Sequence, residues 1–249
     1  MFDVYGTLFI SGSGDISIIS KNVKKDRIEG LFKKYGIDES PELVIRRFFD
    51  LIKARHNEAK ETLGIDYPEV VIEQIWEELL CSEDAATVKK FSLEYELLTN
   101  PVWPMPGLND LLLFIKQHSL VSGIISNAQF YTPLIFEAFL GYGLEDLGFN
   151  RELLIFSYME GVAKPSFRLF EKAKQRLERM GFGPHEVLYI GNDMLNDIYP
   201  ANRIGFRTTL FAGDKRSLRM REENPKTKKL NPDVIISKLN DLISILSEN

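Results

Sequence analysis

The sequence predicts an α/β fold: a parallel sheet covered by helices on both faces, with a separate all-helical subdomain. From residue 105 onward, short apolar strands alternate with amphipathic helices, which is typical of parallel strands buried on both faces. From residue 23 to about residue 99, apolar residues recur at helical spacing without a convincing strand. We therefore predict a core of residues 1–12 and 105–249 and a helical insertion of residues 13–104.

The individual elements follow from apolar runs and from the residues that start or stop them. In the insertion, Gly36 ends the first helix, Ser40-Pro41 opens the second and Pro68 opens the third. The fourth insertion helix and the core helices are predicted at Ala86–Leu98, Leu108–Lys116, Phe130–Leu140, Phe167–Met180, Leu195–Ile204 and Lys238–Leu246. Strands are predicted at Val121–Ser126, Leu153–Phe156, Val187–Gly191, Thr208–Phe211 and Val234–Ile236. Connections are predicted at Ser11–Asp15 and Pro101–Gly107.

The composition indicates a globular protein and argues against several kinds of partner. The 249 residues are 44% hydrophobic and 27% charged, as in globular proteins. The net charge of −5 argues against non-specific binding to nucleic acid. Cys81 is the only cysteine, so no disulfide can form within the chain, which fits a reducing compartment. Since no run reaches transmembrane length and no signal-peptide pattern is present, we expect a cytoplasmic protein without a membrane partner.

The stretch Met1–Phe9 (MFDVYGTLF) carries the first candidate site residue, Asp3. A short apolar run ends in this acid, Gly6 then marks a turn, and Thr7 adds a hydroxyl group. Open α/β sheets bind ligands at the carboxyl ends of their strands, where a carboxylate can act as a covalent nucleophile. Because only two residues precede Asp3, we expect an unusually short first strand or a natural chain that begins upstream.

Later strands end in groups of complementary chemistry. Ser126 and Asn127 end one strand, and Lys164 lies just before a predicted helix. The strand Val187–Gly191 is followed by Asn192, Asp193, Asn196 and Asp197. Parallel strands share one carboxyl edge, so these groups are expected to converge on Asp3. Carboxylates suit a hard cation such as Mg²⁺, while a lysine and a hydroxyl group can stabilise developing negative charge.

In their order, the segments DVYGT, Ser126, Lys164-Pro165 and GNDMLND resemble the motifs of the haloacid dehalogenase (HAD) superfamily of hydrolases. The resemblance implies a Rossmann-like core with a helical cap inserted between the first two motifs. It also implies that Asp3 is the nucleophile, that Ser126 and Lys164 bind the transferred group, and that the last acids bind magnesium. The implied residues are Asp3, Lys164, Ser126 and Tyr5 for catalysis, Thr7, Ser126, Asn127 and Lys164 for substrate, and Asp3, Tyr5, Asp193 and Asp197 for metal.

The chain departs from the family pattern at several positions. Phosphatases of the superfamily usually carry an acid two residues after the nucleophile, where this chain has Tyr5. L-2-haloacid dehalogenases share the Asp-x-Tyr-Gly-Thr string, yet this chain has Phe170 where they tend to have tyrosine. It also has an extra acid, Asp193, in the last motif, and the commoner phosphatase spacing would put the metal-binding acid at Asn192. Asn192, Asp193 and Asp197 all remain candidate ligands.

The favoured interpretation is a magnesium-dependent phosphatase that acts on a small phosphorylated metabolite. One alternative is metal-free hydrolysis of a carbon–halogen bond, and another is a non-catalytic binding protein that retains the fold. The sequence identifies neither the substrate nor the oligomeric state. The basic segments 215–221 and 226–229 are expected to be solvated, and surface positions are also expected for Arg46, Arg47, Arg55 and His56.

Overall fold

The computed structural model describes residues 1–12 and 25–247. Within these residues the helices are α1 (Lys25–Lys34), α2 (Pro41–Leu63), α3 (Ile72–Leu80), α4 (Ala85–Thr99), α5 (Leu108–Gln117), α6 (Thr132–Leu140), α7 (Ser157–Glu160), α8 (Phe167–Arg179), α9 (Tyr199–Arg203) and α10 (Asn240–Ser247). The strands are β1 (Phe9–Ser11), β2 (Val102–Pro104), β3 (Ser122–Ser126), β4 (Phe149–Phe156), β5 (Leu188–Gly191), β6 (Arg207–Phe211) and β7 (Val234–Ile236). No helix in this part of the chain is both long and apolar enough to cross a membrane.

The main sheet is parallel, and the N-terminal segment lies in its middle. Strand β3 pairs with β4, and β5 pairs with β6, which pairs with β7. Phe2 forms parallel bridges to both Ile124 and Ile190, so it joins the two halves of the sheet. The backbone N–H of Asp3 donates to the carbonyl oxygen of Ile190 at 2.9 Å. Asp3 is therefore anchored between the carboxyl ends of β3 and β5, as predicted from its sequence context.

Helices cover both faces of this sheet. On one face, α5, α6 and α10 pack against sheet residues such as Ile124 and Ile190. On the other face, α8 and α9 pack against Ile125, Ile155 and Tyr189. The alternation of fully buried strands with amphipathic helices in the sequence therefore corresponds to a three-layer α/β core. The predicted fold class is confirmed.

Helices α1–α4 have a hydrophobic core of their own. Its centre is Trp76, which is fully buried. The ring of Trp76 stacks on Phe48 with centroids 4.4 Å apart and meets the rings of Phe91 and Tyr95 at 4.8 Å. Phe130 and Tyr131, just before α6, join the same cluster. This separate cluster supports the predicted insertion of residues 13–104, whose boundaries stay a prediction.

The segment between α2 and α3 connects this helical unit to the core. Pro68 pairs with Val162 in an antiparallel bridge, and the N–H of Ala163 donates to the carbonyl oxygen of Tyr67 at 2.7 Å. The side-chain oxygen of Gln129 accepts a hydrogen bond of 3.0 Å from the N–H of Ile72. The helical unit is thus hydrogen-bonded to the chain that immediately precedes Lys164.

Three expectations about secondary structure are wrong in detail. The third insertion helix begins at Ile72 and not at Pro68, because the residues before it pair with the core. The helix predicted at Leu195–Ile204 is a π-helical turn, Met194–Ile198, followed by α9, in which Pro200 starts a new helical segment. The connections also contain β1 and β2, which pair antiparallel with each other, while residues 13–15 of the first one lie outside the described residues.

We expect Trp76→Ala to lower the free energy of unfolding of the helical unit by about 3–5 kcal/mol, because it removes the centre of the aromatic cluster. The matched control is Trp103→Ala, since the Trp103 side chain lies on β2 and is about half exposed. Denaturant unfolding and amide hydrogen exchange across α1–α4 measure the difference. Equal losses in the two variants would contradict the assignment of Trp76 to a separate core.

Candidate functional site

The carboxyl edge of the sheet brings together four of the predicted groups. Lys164 Nζ lies 2.6 Å from Asp3 Oδ1 and 2.6 Å from Asp197 Oδ1. Ser126, the last residue of β3, donates from Oγ to the same oxygen of Asp3 at 3.1 Å. Asp3, Ser126, Lys164 and Asp197 are all buried. The expected convergence on Asp3 is therefore present in the fold.

The ammonium group of Lys164 is held from several sides. Besides the two carboxylates, its Nζ lies 3.4 Å from the hydroxyl oxygen of Tyr189. That hydroxyl group in turn lies 3.1 Å from Asp197 Oδ1 and 3.0 Å from the carbonyl oxygen of Ile125. Asn127 fixes the backbone, because its Oδ1 accepts from the N–H of Lys164 at 2.7 Å. The predicted substrate contact Asn127 therefore also positions the lysine.

The charges of this cluster follow from burial and pairing. Burial alone would lower the pKa of Lys164, but the Asp197 and Asp3 carboxylates outweigh it and hold that pKa above its usual range. Burial raises the pKa of Asp197 to about 7, Asp3 and Asp193 act in the same direction, and Lys164 opposes them. Because its pKa is held above the usual range, Lys164 keeps its ammonium charge between the two carboxyl groups.

The loop after β5 is built around Asp197. Its Oδ2 accepts hydrogen bonds of 3.0 Å from the N–H groups of Asn192 and Asp193, while its Oδ1 faces Lys164 and Tyr189. Gly191 is required at the end of β5, since a Cβ there would collide with the Asp197 side chain. Both oxygens of Asp197 are thus committed to donors of the protein.

Asp193 is paired with a residue of the long loop between β6 and β7. Arg221 Nη2 lies 2.7 Å from Asp193 Oδ2, and Arg221 Nε lies 3.2 Å from each carboxylate oxygen. Asp193 Oδ1 also accepts from the N–H groups of Leu195 and Asn196, at the start of the π-helical turn. The carboxylate is thus neutralised by an arginine from 28 residues downstream.

The hydroxyl group of Tyr5 is hydrogen-bonded to α6 and not to Asp3. This hydrogen bond joins it to Thr132 Oγ1 at 2.8 Å. Burial, the nearby Glu96 carboxyl and, to a smaller extent, Asp3 raise the pKa of Tyr5 well above its usual value. The side chain is therefore a neutral phenol throughout the physiological pH range, and it lines the same pocket as Asp3.

Gly6, Thr7 and Asn192 join the first and last motifs. The backbone of Gly6 has a φ of +84°, and a Cβ there would lie 2.5 Å from Asn192 Nδ2, so only glycine fits. Thr7 Oγ1 lies 3.3 Å from Asp3 Oδ2 and 3.4 Å from Asn192 Oδ1. Asn192 Nδ2 donates to the carbonyl oxygen of Ser217 at 2.6 Å, and its Oδ1 lies on the side of Thr7.

These contacts rank the candidate metal ligands. Among the described residues, no group of three or more His, Cys, Asp or Glu side chains is arranged to hold a metal ion. Asp193 and Asp197 are occupied by Arg221, Lys164 and backbone N–H groups. Within residues 1–12 and 25–247, Asp3 Oδ2 and Asn192 Oδ1 have only the long contacts from Thr7. An oxygen pair of this kind suits Mg²⁺, which takes few protein ligands and keeps several waters. The fit thus favours Asp3 with Asn192, and the roles of Tyr5, Asp193 and Asp197 as ligands stay predictions.

One pocket contains this site, and its walls include groups that sequence reasoning missed. The lining residues are Asp3, Tyr5, Asn127, Lys164, Asn192, Asp193, Asn196, Asp197, Arg219 and Arg221. The basic segment 215–221 is more than a solvated face: Arg221 is exposed as expected, yet it pairs with Asp193 and lines the pocket together with Arg219. No spacing in the sequence connects these arginines, or the lysine partner Tyr189, to the motifs. By contrast, Arg47 and Arg55 form exposed ion pairs with Glu39 and Glu78, as expected of surface residues.

Known proteins resemble this chain in sequence. Residues 161–242 match the HAD-hydrolase-like family model. A glyceraldehyde 3-phosphate phosphatase of Pyrococcus furiosus is 29% identical over 143 residues, which is 57% of this chain and 54% of that protein. The same enzyme of Pyrococcus abyssi is 29% identical over 43% of this chain and 42% of its own length. The chain thus spans about half the length of the curated relatives it matches.

Solved structures resemble it over nearly the whole chain. An L-2-haloacid dehalogenase of Xanthobacter autotrophicus has a TM-score of 0.54 and 19% identity, with 99% of this chain and 96% of that chain covered. A HAD phosphatase of Thermococcus onnurineus has a TM-score of 0.53 and 18% identity, with 98% and 95% covered. At this identity the likeness shows the fold, which dehalogenases and phosphatases share. The family match over residues 161–242, the shared fold and the arrangement of the motifs together make this chain similar to hydrolases of the haloacid dehalogenase superfamily.

Proposed function

We propose that the protein hydrolyses phosphate monoesters through a covalent aspartyl-phosphate on Asp3, with a divalent cation, Mg²⁺, as cofactor. The observation that carries the proposal is the environment of the Asp3 carboxylate. One oxygen faces Lys164 and Ser126, the two donors suited to a phosphoryl group. The other faces the hydroxyl group of Thr7, which also reaches Asn192 Oδ1. A buried carboxylate at a strand end, with cationic and hydroxyl donors beside it, has the parts that nucleophilic phosphoryl transfer needs.

The side chains support two chemical steps. Without substrate, Lys164 Nζ and Ser126 Oγ both donate to Asp3 Oδ1. A phosphoryl group that accepts these hydrogen bonds leaves Oδ1 able to attack phosphorus. A bond from Asp3 to phosphorus then forms, the ester P–O bond breaks, and the alcohol portion leaves, taking up a proton from solvent where it is basic enough. Water then attacks phosphorus and loses a proton to solvent, the bond from Asp3 to phosphorus breaks, and inorganic phosphate leaves with the Asp3 carboxylate restored.

The remaining residues stabilise charge and hold geometry. Lys164 stays protonated and offsets negative charge on the phosphoryl oxygens, because Asp197 keeps its ammonium group in place. Asp3 Oδ2 and Asn192 Oδ1 would hold the cation, with the Asn192 amide oriented by Ser217. When bound, Mg²⁺ supplies positive charge near the reacting phosphate.

For the substrate class we propose a small phosphorylated metabolite. The support comes from the Pyrococcus relatives, which are glyceraldehyde 3-phosphate phosphatases, and from the polar lining of the pocket. The lining combines Lys164, Arg219 and Arg221 with the carboxylates of the site, which suits a phosphate group more than an uncharged ligand.

Metal-free hydrolysis of a carbon–halogen bond is the second candidate, and particular contacts favour it. The position two residues after the nucleophile is a neutral tyrosine, Tyr5. Asp193 and Asp197 already have cationic partners within the protein, Arg221 and Lys164. In this alternative, Asp3 would displace halide from carbon to form an ester, which water would hydrolyse.

Release of phosphate and of halide separates the two candidates. We expect phosphate release from a panel of phosphate monoesters, loss of most of that activity after exhaustive chelation, and recovery with Mg²⁺. The Asp3→Asn variant is the inactive control, since the amide has nearly the same shape as the carboxylate and is a far poorer nucleophile. Halide release that survives chelation and requires Asp3 would instead establish the dehalogenase candidate. Phosphate release within about tenfold of wild type in the Asp3→Asn variant would remove Asp3 from the nucleophile role.

Tyr5 generates a prediction about leaving groups. A general acid at this position contributes about 10²–10⁴-fold in such reactions, but a phenol whose pKa is raised by burial is a poor acid. We expect the rate to depend steeply on the pKa of the leaving group, with aryl phosphates faster than alkyl phosphates. Tyr5→Asp should then raise the alkyl rate more than the aryl rate. The measurement is a rate series across esters of graded leaving-group pKa, for wild type and variant.

A flat series in the wild type would contradict this account of Tyr5. It would mean that another acid protonates the leaving oxygen, and Glu96 of α4 is the first candidate. Burial raises the pKa of the Glu96 carboxyl, which accepts hydrogen bonds from Asn100 and Tyr131. Glu96→Gln is the variant that separates the two sources, since it should make a flat series steep.

A further inference from the structure

Two cationic side chains of the protein neutralise the carboxylates that surround Asp3. Lys164 pairs with Asp197, and Arg221 pairs with Asp193 through its Nη2 and Nε atoms. The two pairs differ in burial. The side chains of Lys164 and Asp197 are 4% and 2% exposed. The side chain of Arg221 is 38% exposed, and that of its partner Asp193 is 8% exposed.

The position of Arg221 is held by the loop between β6 and β7. Its backbone has a φ of +54°, an unusual value for a residue with a side chain. Its carbonyl oxygen accepts hydrogen bonds from Thr227 Oγ1 at 2.6 Å and from the N–H of Asn224 at 2.9 Å. Two residues earlier, the backbone of Arg219 pairs with the loop after β5: its N–H donates to the carbonyl oxygen of Asn192, and its own carbonyl oxygen accepts from Met194. These hydrogen bonds hold the backbone of the loop, so that the guanidinium group of Arg221 lies next to Asp193.

We propose that Arg221 is a tethered counter-cation, which neutralises Asp193 and thereby sets how tightly the site binds a divalent cation. The inference rests on the proposed cation site at Asp3 and Asn192 and assigns a role to a residue outside the family motifs. A divalent cation in this pocket would be repelled by the positive charge of Arg221, which is already paired with the Asp193 carboxylate. Arg221 thus keeps the affinity lower than three nearby carboxylates would give, and it prevents Asp193 from becoming a further ligand.

Binding of Mn²⁺ to the full-length, metal-free protein tests this without any measurement of turnover. Free Mn²⁺ is counted by electron paramagnetic resonance during titration. We expect Arg221→Gln to bind Mn²⁺ more tightly than wild type, on the order of tenfold, because a charge of +1 is removed next to the site. Arg221→Lys, which keeps the charge, should remain close to wild type and so separates the effect of charge from loosening of the loop.

Two further variants make the test specific to the Asp193 pair. Arg216→Gln is the matched surface control, because Arg216 is exposed, pairs with Asp214 and does not line the pocket. In an Asp193→Asn background, Arg221→Gln should tighten binding less than it does alone, since the charge is still removed but Asp193 can no longer become a further ligand. Melting temperatures of the metal-free variants verify that each one is folded.

The inference is overturned if Arg221→Gln leaves Mn²⁺ affinity unchanged or weakens it, or if Arg221→Lys tightens it as much as Arg221→Gln. Absence of Mn²⁺ binding in both wild type and Arg221→Gln overturns it as well. Phosphate release from an aryl phosphate, measured on the same preparations, reports on the proposed function separately. Phosphate release with unchanged Mn²⁺ affinity in Arg221→Gln would remove the role of Arg221 alone, whereas the expected affinity change without phosphate release would remove the phosphatase proposal alone.

Discussion

The site depends on one ammonium group held between two buried carboxylates. Lys164 Nζ lies 2.6 Å from both Asp3 and Asp197, and all three side chains are almost inaccessible to water. Charges buried to this extent are tolerated only when they are paired and hydrogen-bonded, and removing one partner leaves the others uncompensated, typically at a cost of about 3–5 kcal/mol. The geometry of the Asp3 carboxylate and the integrity of the core are therefore linked through Lys164.

The arrangement of the sheet edge follows from this constraint. Asp197 reaches the lysine because Gly191 leaves room for its side chain and because the N–H groups of Asn192 and Asp193 hold its second oxygen. Asn127, at the end of the neighbouring strand, holds the lysine backbone. The helical unit is hydrogen-bonded to the same stretch, since Ala163 donates to Tyr67 between α2 and α3. Any displacement of the helical unit is thus connected mechanically to the lysine, which is a property of the fold and not of the motifs alone.

The fold class and the four motif positions could be predicted because their signals are local. Buried strands are visible in the sequence as short apolar runs. The groups that follow them, such as Asp3, Ser126 and Lys164, meet because parallel strands share one edge of the sheet. The partners of those groups could not be predicted, because they depend on contacts that leave no pattern in the chain. Tyr189 resembles any core aromatic residue, and Arg221 lies in a loop whose basic composition is typical of a solvated surface. The start of α3 at Ile72 has the same cause, since Pro68 pairs with the core and this tertiary contact overrides the local signal.

Chemical trapping of Asp3 tests the central claim most directly. The protein is mixed with an aryl phosphate and Mg²⁺, quenched within the first turnovers, and treated with borohydride, which reduces an acyl phosphate to an alcohol. The account predicts homoserine in place of Asp3 in the N-terminal peptide by mass spectrometry, only when substrate is present. Turnover of the same substrate with unmodified Asp3, or with the reduction found at Asp193 or Asp197, would contradict it.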